Sequence, residues 1–314
     1  MQTQAQTPSQ EQSSFPLVRL SHVDKRFGKV HANRDISLDI HAGRVKALLG
    51  ENGAGKSTLM SVLSGRYQPD GGAILVDGRE RVFRTPKDAL EAGVGMVYQH
   101  FMLVDSMSVA QNVLLGQESS FFISPVKMEQ RVGKLAQRYG LDVDPEARVS
   151  HLSMGERQRV EILKLLHRKS RVLIFDEPTA VLTPRETEQL FDAFRSMTAQ
   201  GKALVFISHK LEEVLSVADE ISILRAGEIV EEFGMEASPC KDELASKMVG
   251  REIFLQVDKS PAQVGEAVLE LEEVSGENLH KVSLSVRRGE VVALAGVAGN
   301  GQKPLVETVC GLRA

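Results

Sequence analysis

Cysteine is scarce in this chain. Its two cysteines, Cys240 and Cys310, lie far apart, form no C-x-x-C and have no histidine cluster beside them. That spacing argues against a disulfide framework or a zinc site and suits a reducing cytosol. Long apolar runs are also missing, since no stretch approaches the ~18 residues that a membrane span needs. A role at a membrane would therefore require a partner that spans it. Residues Met1 to Ser14 are rich in Gln, Ser and Thr without the apolar core of a signal peptide, and residues 1–15 read as a disordered tail. Excess positive charge is absent too. The formal net charge is −4, which gives no reason to expect a nucleic-acid partner. What remains, 314 residues at 42% hydrophobic and 25% charged, is an ordinary soluble composition with room for more than one domain.

What the chain does have is Gly50-Glu51-Asn52-Gly53-Ala54-Gly55-Lys56-Ser57-Thr58, which fits the phosphate-loop pattern G-x-x-x-x-G-K-[ST] without a mismatch. Val45 to Leu49 before it reads as a strand, and Leu59 to Leu63 after it continues in a helical pattern. Small residues let backbone N–H groups turn inward around a polyphosphate, and the positive end of the next helix points at the same anion. Lys56 would reach the β- and γ-phosphates, and the Ser57 hydroxyl would ligate Mg²⁺. The stretch predicts a bound nucleoside triphosphate.

Other segments fall around this loop. Val18, Leu20 and Val23, then Ile36, Leu38 and Ile40, alternate with polar residues as half-buried strands do. Lys25-Arg26-Phe27-Gly28 between them reads as a turn. Phe27 stands 23 residues ahead of the phosphate loop, as either a core ring or a face for a nucleotide base. Val94 to Gln99 is a short strand, and Gln99 either ends it as a polar residue or offers an amide to a metal or an attacking water. From Leu103 to about Arg148 the pattern is helical, most clearly over 109–115 and 128–139. Ser153 and Glu156 fit the S-x-x-E capping box that opens a helix.

Arg171 to Glu177 is a continuous apolar run closed by two carboxylates, as in a strand buried on both faces of a parallel sheet. Ligands of such sheets sit beyond the carboxyl ends of the strands. Asp176 and Glu177 thus stand where a Mg²⁺ ligand and a water-activating base are wanted. Leu204 to Ser208 repeats the geometry and puts His209 at the strand end, as a plain hydrogen-bonder or as a contact to the γ-phosphate. Ile221 to Val230 reads as a closing hairpin and Asp242 to Val249 as a helix, which completes a first domain over residues 16–251.

Residues 252–267, with Pro261, read as a linker, after which the first domain begins again. Gly43-Arg44-Val45 matches Gly289-Glu290-Val291, Gly50 matches Gly296 and Gly65 matches Gly311, all at an offset of 246. The period makes residues 268–314 the opening of a duplicated domain, and the stop at Ala314 reads as a fragment or a truncated frame. The second loop, Gly296-Val297-Ala298-Gly299-Asn300-Gly301-Gln302-Lys303-Pro304, keeps the glycines. It has Gln302, Lys303 and Pro304 where the first has Lys56, Ser57 and Thr58. With the phosphate lysine and the metal-binding hydroxyl displaced, this loop is expected to be weak or inactive in hydrolysis.

The loop at 50–58, Gln99, the segment Leu152-Ser153-Met154-Gly155-Glu156, the strand Val172 to Glu177 and His209 together resemble the ATP-binding subunits of ABC transporters. The likeness covers nearly everything from Leu17 on. It implies an α/β fold, a P-loop NTPase of ABC type. That fold has a mostly parallel core sheet, an antiparallel β subdomain and a helical subdomain, followed here by the start of a second copy. The signature departs from the commonest LSGGQ at Met154 and Glu156, as in importers of simple sugars and nucleosides. Glu177 to Thr183, Ile207 to Glu213 and the tandem duplication look like that branch, and His100 to Val104 is similar to its nucleoside-uptake members.

This resemblance implies a subunit that binds and hydrolyses ATP to drive import of nucleosides or simple sugars. It would sit peripherally at the cytoplasmic face of the membrane on transmembrane permease subunits, with an extracytoplasmic solute-binding protein as an indirect partner. Two ATP-binding domains, in cis or as a homodimer, would sandwich ATP and Mg²⁺. Phe27 would stack on adenine, the residues from Gly50 to Thr58 would hold the phosphates, and Ser57, Gln99 and Asp176 would serve Mg²⁺. Glu177 would be the general base, with Gln99 and His209 completing the catalytic set. Ser153, Met154, Gly155 and Glu156 would face the ATP of the partner domain. Alone, the chain is expected to bind ATP and hydrolyse it poorly, unless two first domains pair with each other.

A soluble ABC-type ATPase of translation or DNA repair is the alternative, but the compact domain and negative charge lack the insertions and basic arms of those proteins. A binding-only regulatory module fits the second domain and not the first, where Glu177 is retained. No N-K-x-D-like segment follows the phosphate loop, which argues against a GTPase.

Overall fold

The computed structural model describes residues 15–98, 101–116, 124–180, 182–234, 237, 239–250, 263–276, 278–296 and 299–313. They fall into two compact units, Met1–Ile253 and Phe254–Ala314.

The first unit opens with β1 (Val18–Phe27) and β2 (Val30–Ile40), antiparallel with Val18 opposite Ile40. Next come β3 (Val45–Leu49), α1 (Lys56–Leu63), β4 (Gly71–Val76), β5 (Arg79–Arg81), α2 (Pro86–Glu91) and β6 (Val94–Val97). A helical segment follows, with α3 (Val109–Leu114), α4 (Pro125–Tyr139) and α5 (Met154–His167). Strands and helices then alternate through β7 (Val172–Asp176), α6 (Pro184–Ala199), β8 (Ala203–Ile207), α7 (Leu211–Val217), β9 (Glu220–Arg225), β10 (Glu228–Gly234) and α8 (Lys241–Val249). Four helices start at reciprocal capping boxes: Thr85 with Asp88, Ser108 with Gln111, Ser153 with Glu156 and Thr183 with Glu186.

Two sheets organise the unit. One is antiparallel in the order β2-β1-β4-β5, and the other runs β10-β9-β3-β8-β7-β6 with only the β10–β9 pair antiparallel. The continuous apolar run of β7 follows from its place between β8 and β6, where it is covered on both faces. Val172 and Ile174 pack with Leu48, Val205 and the inner residues of β1 and β4, whereas Leu173 and Phe175 pack with α5 and α6. The sheet therefore divides two cores, and the carboxyl ends of β3, β7 and β8 emerge together at its rim.

Two details differ from the sequence reading. Lys25 to Phe27 belong to β1, with Phe27 opposite Val30, so the turn is only Gly28-Lys29 and Gly28 takes φ 57°. A two-residue hairpin loop needs no more chain than that. The closing hairpin is present, but its first strand lies inside the main sheet, because β9 also pairs in parallel with β3. Among the described residues no helix is long and apolar enough to cross a membrane.

In the second unit β11 (Ala267–Gly276) pairs antiparallel with β12 (Leu279–Arg287), and α9 (Gln302–Val309) follows. Ala267, placed in the linker by the sequence reading, starts β11. Lys281, Gly289, Gly299, Gly301 and Gly311 have positive φ, as do Asp35, Gly43, Gly53, Gly55 and Gly65. Each pair is 246 residues apart, and α1 and α9 both span 8 residues. The stretch 291–296 takes no strand conformation, and Val291 is 95% exposed. Its counterpart β3 is held between β8 and β9, and the described residues of this unit offer no such pair.

Candidate functional site

The phosphate loop leaves β3 at Leu49 and enters α1 at Lys56. Gly55 caps α1 at φ 105° and supplies no side-chain cap, so the first N–H groups of the helix face the loop without an internal acceptor. A Cβ at Gly55 would collide with the Ala32 carbonyl of β2. The buried Asn33 amide locks that approach by donating from Nδ2 to the Gly55 carbonyl at 3.1 Å. Lys56 is 6% exposed and donates from Nζ to the Gly50 and Glu51 carbonyls at 2.7 and 2.8 Å. Burial lowers its pKa, and Glu177, Asp176 and Glu51 oppose that shift.

Asp176 ends β7 directly across from this loop. Burial raises its carboxyl pKa, a hydrogen bond from Ser57 opposes the rise, Glu177 adds to it and Lys56 opposes it. Among the described residues no cluster of three His, Cys, Asp or Glu could hold a metal. A Mg²⁺ ion here would have Ser57 and Asp176 as protein donors. Two hard oxygens with phosphate oxygens filling the rest is the usual pattern for this ion. A carboxylate strained by burial and facing a hydroxyl fits that cation. Gln99 lies outside the described residues.

Glu177 follows Asp176 in a left-handed conformation, φ 46°, with its N–H donating to the Ile207 carbonyl of β8 at 3.0 Å. Non-glycine residues hold such a conformation only where surrounding contacts over-determine it. Its Oε1 lies 3.0 Å from His209 Nδ1. One carboxylate fixes both loops. Glu213 of α7 accepts from Thr179 Oγ1 at 2.6 Å, from Ser208 Oγ at 3.3 Å and from Lys210 Nζ at 2.8 Å. Thr179 is two residues past Glu177 and Ser208 one before His209, so Glu213 ties together the segments bearing the pair.

Phe27, Val30 and His31 complete the wall of an open cavity of about 450 Å³ that also takes in Lys56, Ser57 and Glu177. That volume lies within the range of small-molecule sites. The structure thus brings together Phe27, the phosphate loop, Asp176, Glu177 and His209. It does not bring the signature to them. Ser153 caps α5 through the Glu156 N–H at 3.3 Å, the Glu156 carboxylate accepts from the Ser153 N–H at 2.8 Å, and Met154 is 47% exposed. Gly155 lines a separate cavity with Glu186.

In the second loop, a Cβ on Gly296 would meet the Gln302 amide, so that side chain lies over Gly296 as Lys56 lies over Gly50. The Lys303 side chain is 87% exposed, 3.7 Å from Glu307. Sequence reasoning missed Asn33, Glu213 and the β2 residues Val30 and His31. Each reaches the site through tertiary pairing, and their only sequence signal was nearness to a recognised motif.

Residues 33–180 match the family described as ABC transporter. The glucose import ATP-binding protein TsgD13 of Haloferax volcanii is 43% identical over 95% of this chain and 60% of its own length. The guanosine import ATP-binding protein NupO of Bacillus subtilis gives 43%, 95% and 60%. This chain therefore spans about 60% of the length of these curated relatives. Among solved structures, cbiO1 from Clostridium perfringens, part of the ABC transporter complex cbiONQ, superposes with a TM-score of 0.63. It is 26% identical over 75% of this chain and 93% of that one. The ATP-binding cassette MJ1267 superposes with a TM-score of 0.67 at 25% identity, over 76% of this chain and 98% of its own. Sheet order, phosphate loop and solved structures agree: this chain has the P-loop NTPase fold of an ABC ATP-binding cassette, and its residues 33–180 match the ABC transporter family.

Proposed function

We propose that this chain binds and hydrolyses ATP to drive import of a sugar or nucleoside through a membrane permease. The observation that carries the reading is the 3.0 Å pairing of Glu177 with His209 beyond the phosphate loop, in the cavity that Phe27 walls. The α1 N–H groups and Lys56 offset charge on the β- and γ-phosphates. Glu177 takes a proton from the attacking water, and His209 holds that carboxylate in place beside the γ-phosphate. Ser57 and Asp176, with Gln99, would hold Mg²⁺, which when bound supplies positive charge against the phosphate oxygens. Phe27 offers its face to adenine.

Relatives named as glucose and guanosine import proteins support the importer reading and leave the solute within sugars and nucleosides. The same reading places the chain at the cytoplasmic face of the membrane, with permease subunits as direct partners and a solute-binding protein as an indirect one. Matching backbone conformations 246 residues apart support residues 267–314 as the opening of a second, degenerate cassette, after a linker that ends before β11. Because Ser153 and Gly155 lie away from the phosphate loop of their own domain, the signature serves ATP held by a second cassette, in cis or in another copy.

Mg-ATP hydrolysis by this chain and by Glu177→Gln, across a wide range of protein concentrations, tests the reading. The expected result is a rate rising more steeply than concentration and abolished in the variant. A rate strictly proportional to concentration with full activity at high dilution, or an active variant, refutes it.

A further inference from the structure

The ring of Phe27 does not stand alone at the end of β1. Tyr67 packs against it edge to face, with centroids 5.2 Å apart and planes at 73°. Lys25 lies over the same ring, its Nζ 5.4 Å from the centroid. Both supports come from one clasp. The segment after α1 is pinned to that helix by the N–H groups of Arg66 and Tyr67, which donate to the Ser61 carbonyl at 2.9 and 3.1 Å. It is pinned to β1 through Asp70, whose N–H donates to the Asp24 carbonyl at 2.8 Å. The Asp70 carboxylate accepts from Lys25 Nζ at 2.9 Å and from the Arg26 N–H at 2.6 Å.

Phe27 is 42% exposed and walls the cavity, and these two contacts bear directly on its ring. The helix that carries Lys56 and Ser57 at its start therefore carries, just past its end, the residue that steadies the base wall. We propose that Tyr67 is a positioning residue for nucleobase binding, holding the Phe27 ring at a fixed height relative to the phosphate loop. The proposal rests on the reading of the cavity as an ATP site. A ring held in its stacking orientation before binding loses less freedom when the base arrives. Removing the support should thus weaken ligands that have a base and spare those that have none.

The test is calorimetric titration of the full chain with Mg-ATP and with Mg-tripolyphosphate, for the wild type and for Tyr67→Leu, Tyr67→Phe and Phe27→Ala. Tyr67→Leu should weaken Mg-ATP about 2- to 12-fold, the worth of one edge-to-face aromatic pair, and leave Mg-tripolyphosphate within twofold. Tyr67→Phe keeps the ring and should restore Mg-ATP binding. Phe27→Ala should cost Mg-ATP about 5-fold or more, the worth of one stacked base. If Tyr67→Leu weakens both ligands alike, or neither, Tyr67 has no positioning role. If Phe27→Ala leaves the ratio of the two affinities unchanged, no base stacks there and the proposal falls with it. A wild type that binds neither ligand overturns the ATP reading itself.

Discussion

Replacing Gly55 by alanine tests whether the phosphate loop is held by the close approach of β2. Two costs add. An alanine at φ 105° carries strain of about 1–3 kcal/mol. Its Cβ also lands on the Ala32 carbonyl and comes within 2.8 Å of Asn33 Nδ2, so the loop and β2 must part. Parting them breaks the 3.1 Å bond from Asn33, a fully buried amide whose Oδ1 already has no partner among the described residues. A buried amide left wholly unpaired costs about 1–3 kcal/mol more. A sum of roughly 2–6 kcal/mol lowers the melting temperature by about 4–24 °C, at 2–4 °C per kcal/mol for a domain of this size. Gly53→Ala is the control, since Gly53 has φ 84° but a Cβ added there would meet nothing within 4 Å, leaving strain alone. Differential scanning calorimetry of both variants, with Mg-ATP titration alongside, decides the matter. Gly55→Ala should melt about 2–12 °C below Gly53→Ala and bind Mg-ATP more than tenfold more weakly. Equal melting temperatures would refute the idea that the approach of β2, and not torsional preference, demands glycine at position 55.

Other expectations follow from the buried polar groups. The Asp176 carboxylate has its pKa raised chiefly by burial, so its ionised form weakens the fold at neutral pH. Asp176→Asn should therefore stabilise the ligand-free protein by about 1 kcal/mol at pH 7 while abolishing Mg²⁺-dependent ATP binding. The sign is set by the raised folded-state pKa. The penalty is absent below the unfolded carboxylate pKa and grows as pH rises through the folded one, so the gain in urea denaturation should shrink toward acid pH. A variant less stable than wild type at pH 7 would contradict this. Glu213→Gln and Thr179→Val should each cost about 1–3 kcal/mol in urea denaturation. Their combination should fall short of the sum by about 0.5 kcal/mol or more, and strict additivity would mean the 2.6 Å contact is not a shared support.

Much of this architecture was legible in the chain because it is written in local signals. The apolar runs at 172–176 and 203–207 announced strands covered on both faces, and Ser153 with Glu156 announced the start of α5. The phosphate loop needed only its own spacing. What escaped was set by distant pairing. β9 looked like half of a hairpin, and nothing local says that its other edge meets β3, some 175 residues earlier in sequence (220 − 45). Glu213 sits in an unremarkable Leu-Glu-Glu-Val segment, and only the fold delivers Thr179 to its carboxylate. Asn33 reads as one polar residue of an alternating strand, yet it is wholly buried because the loop lies on top of it.

The position of β3 also bears on how the protein is made. That strand is flanked by β8 and β9, and Gly50 rests against the carbonyl of Leu224. A ribosome that has just released Gly55 must still add 169 residues (224 − 55) before the loop has its full seat. At about 5–20 residues per second this takes roughly 8–34 s. Nucleotide therefore cannot help fold the early part of the nascent chain. Its contribution begins only after β9 has paired with β3, so the cassette gains its ligand late and all at once.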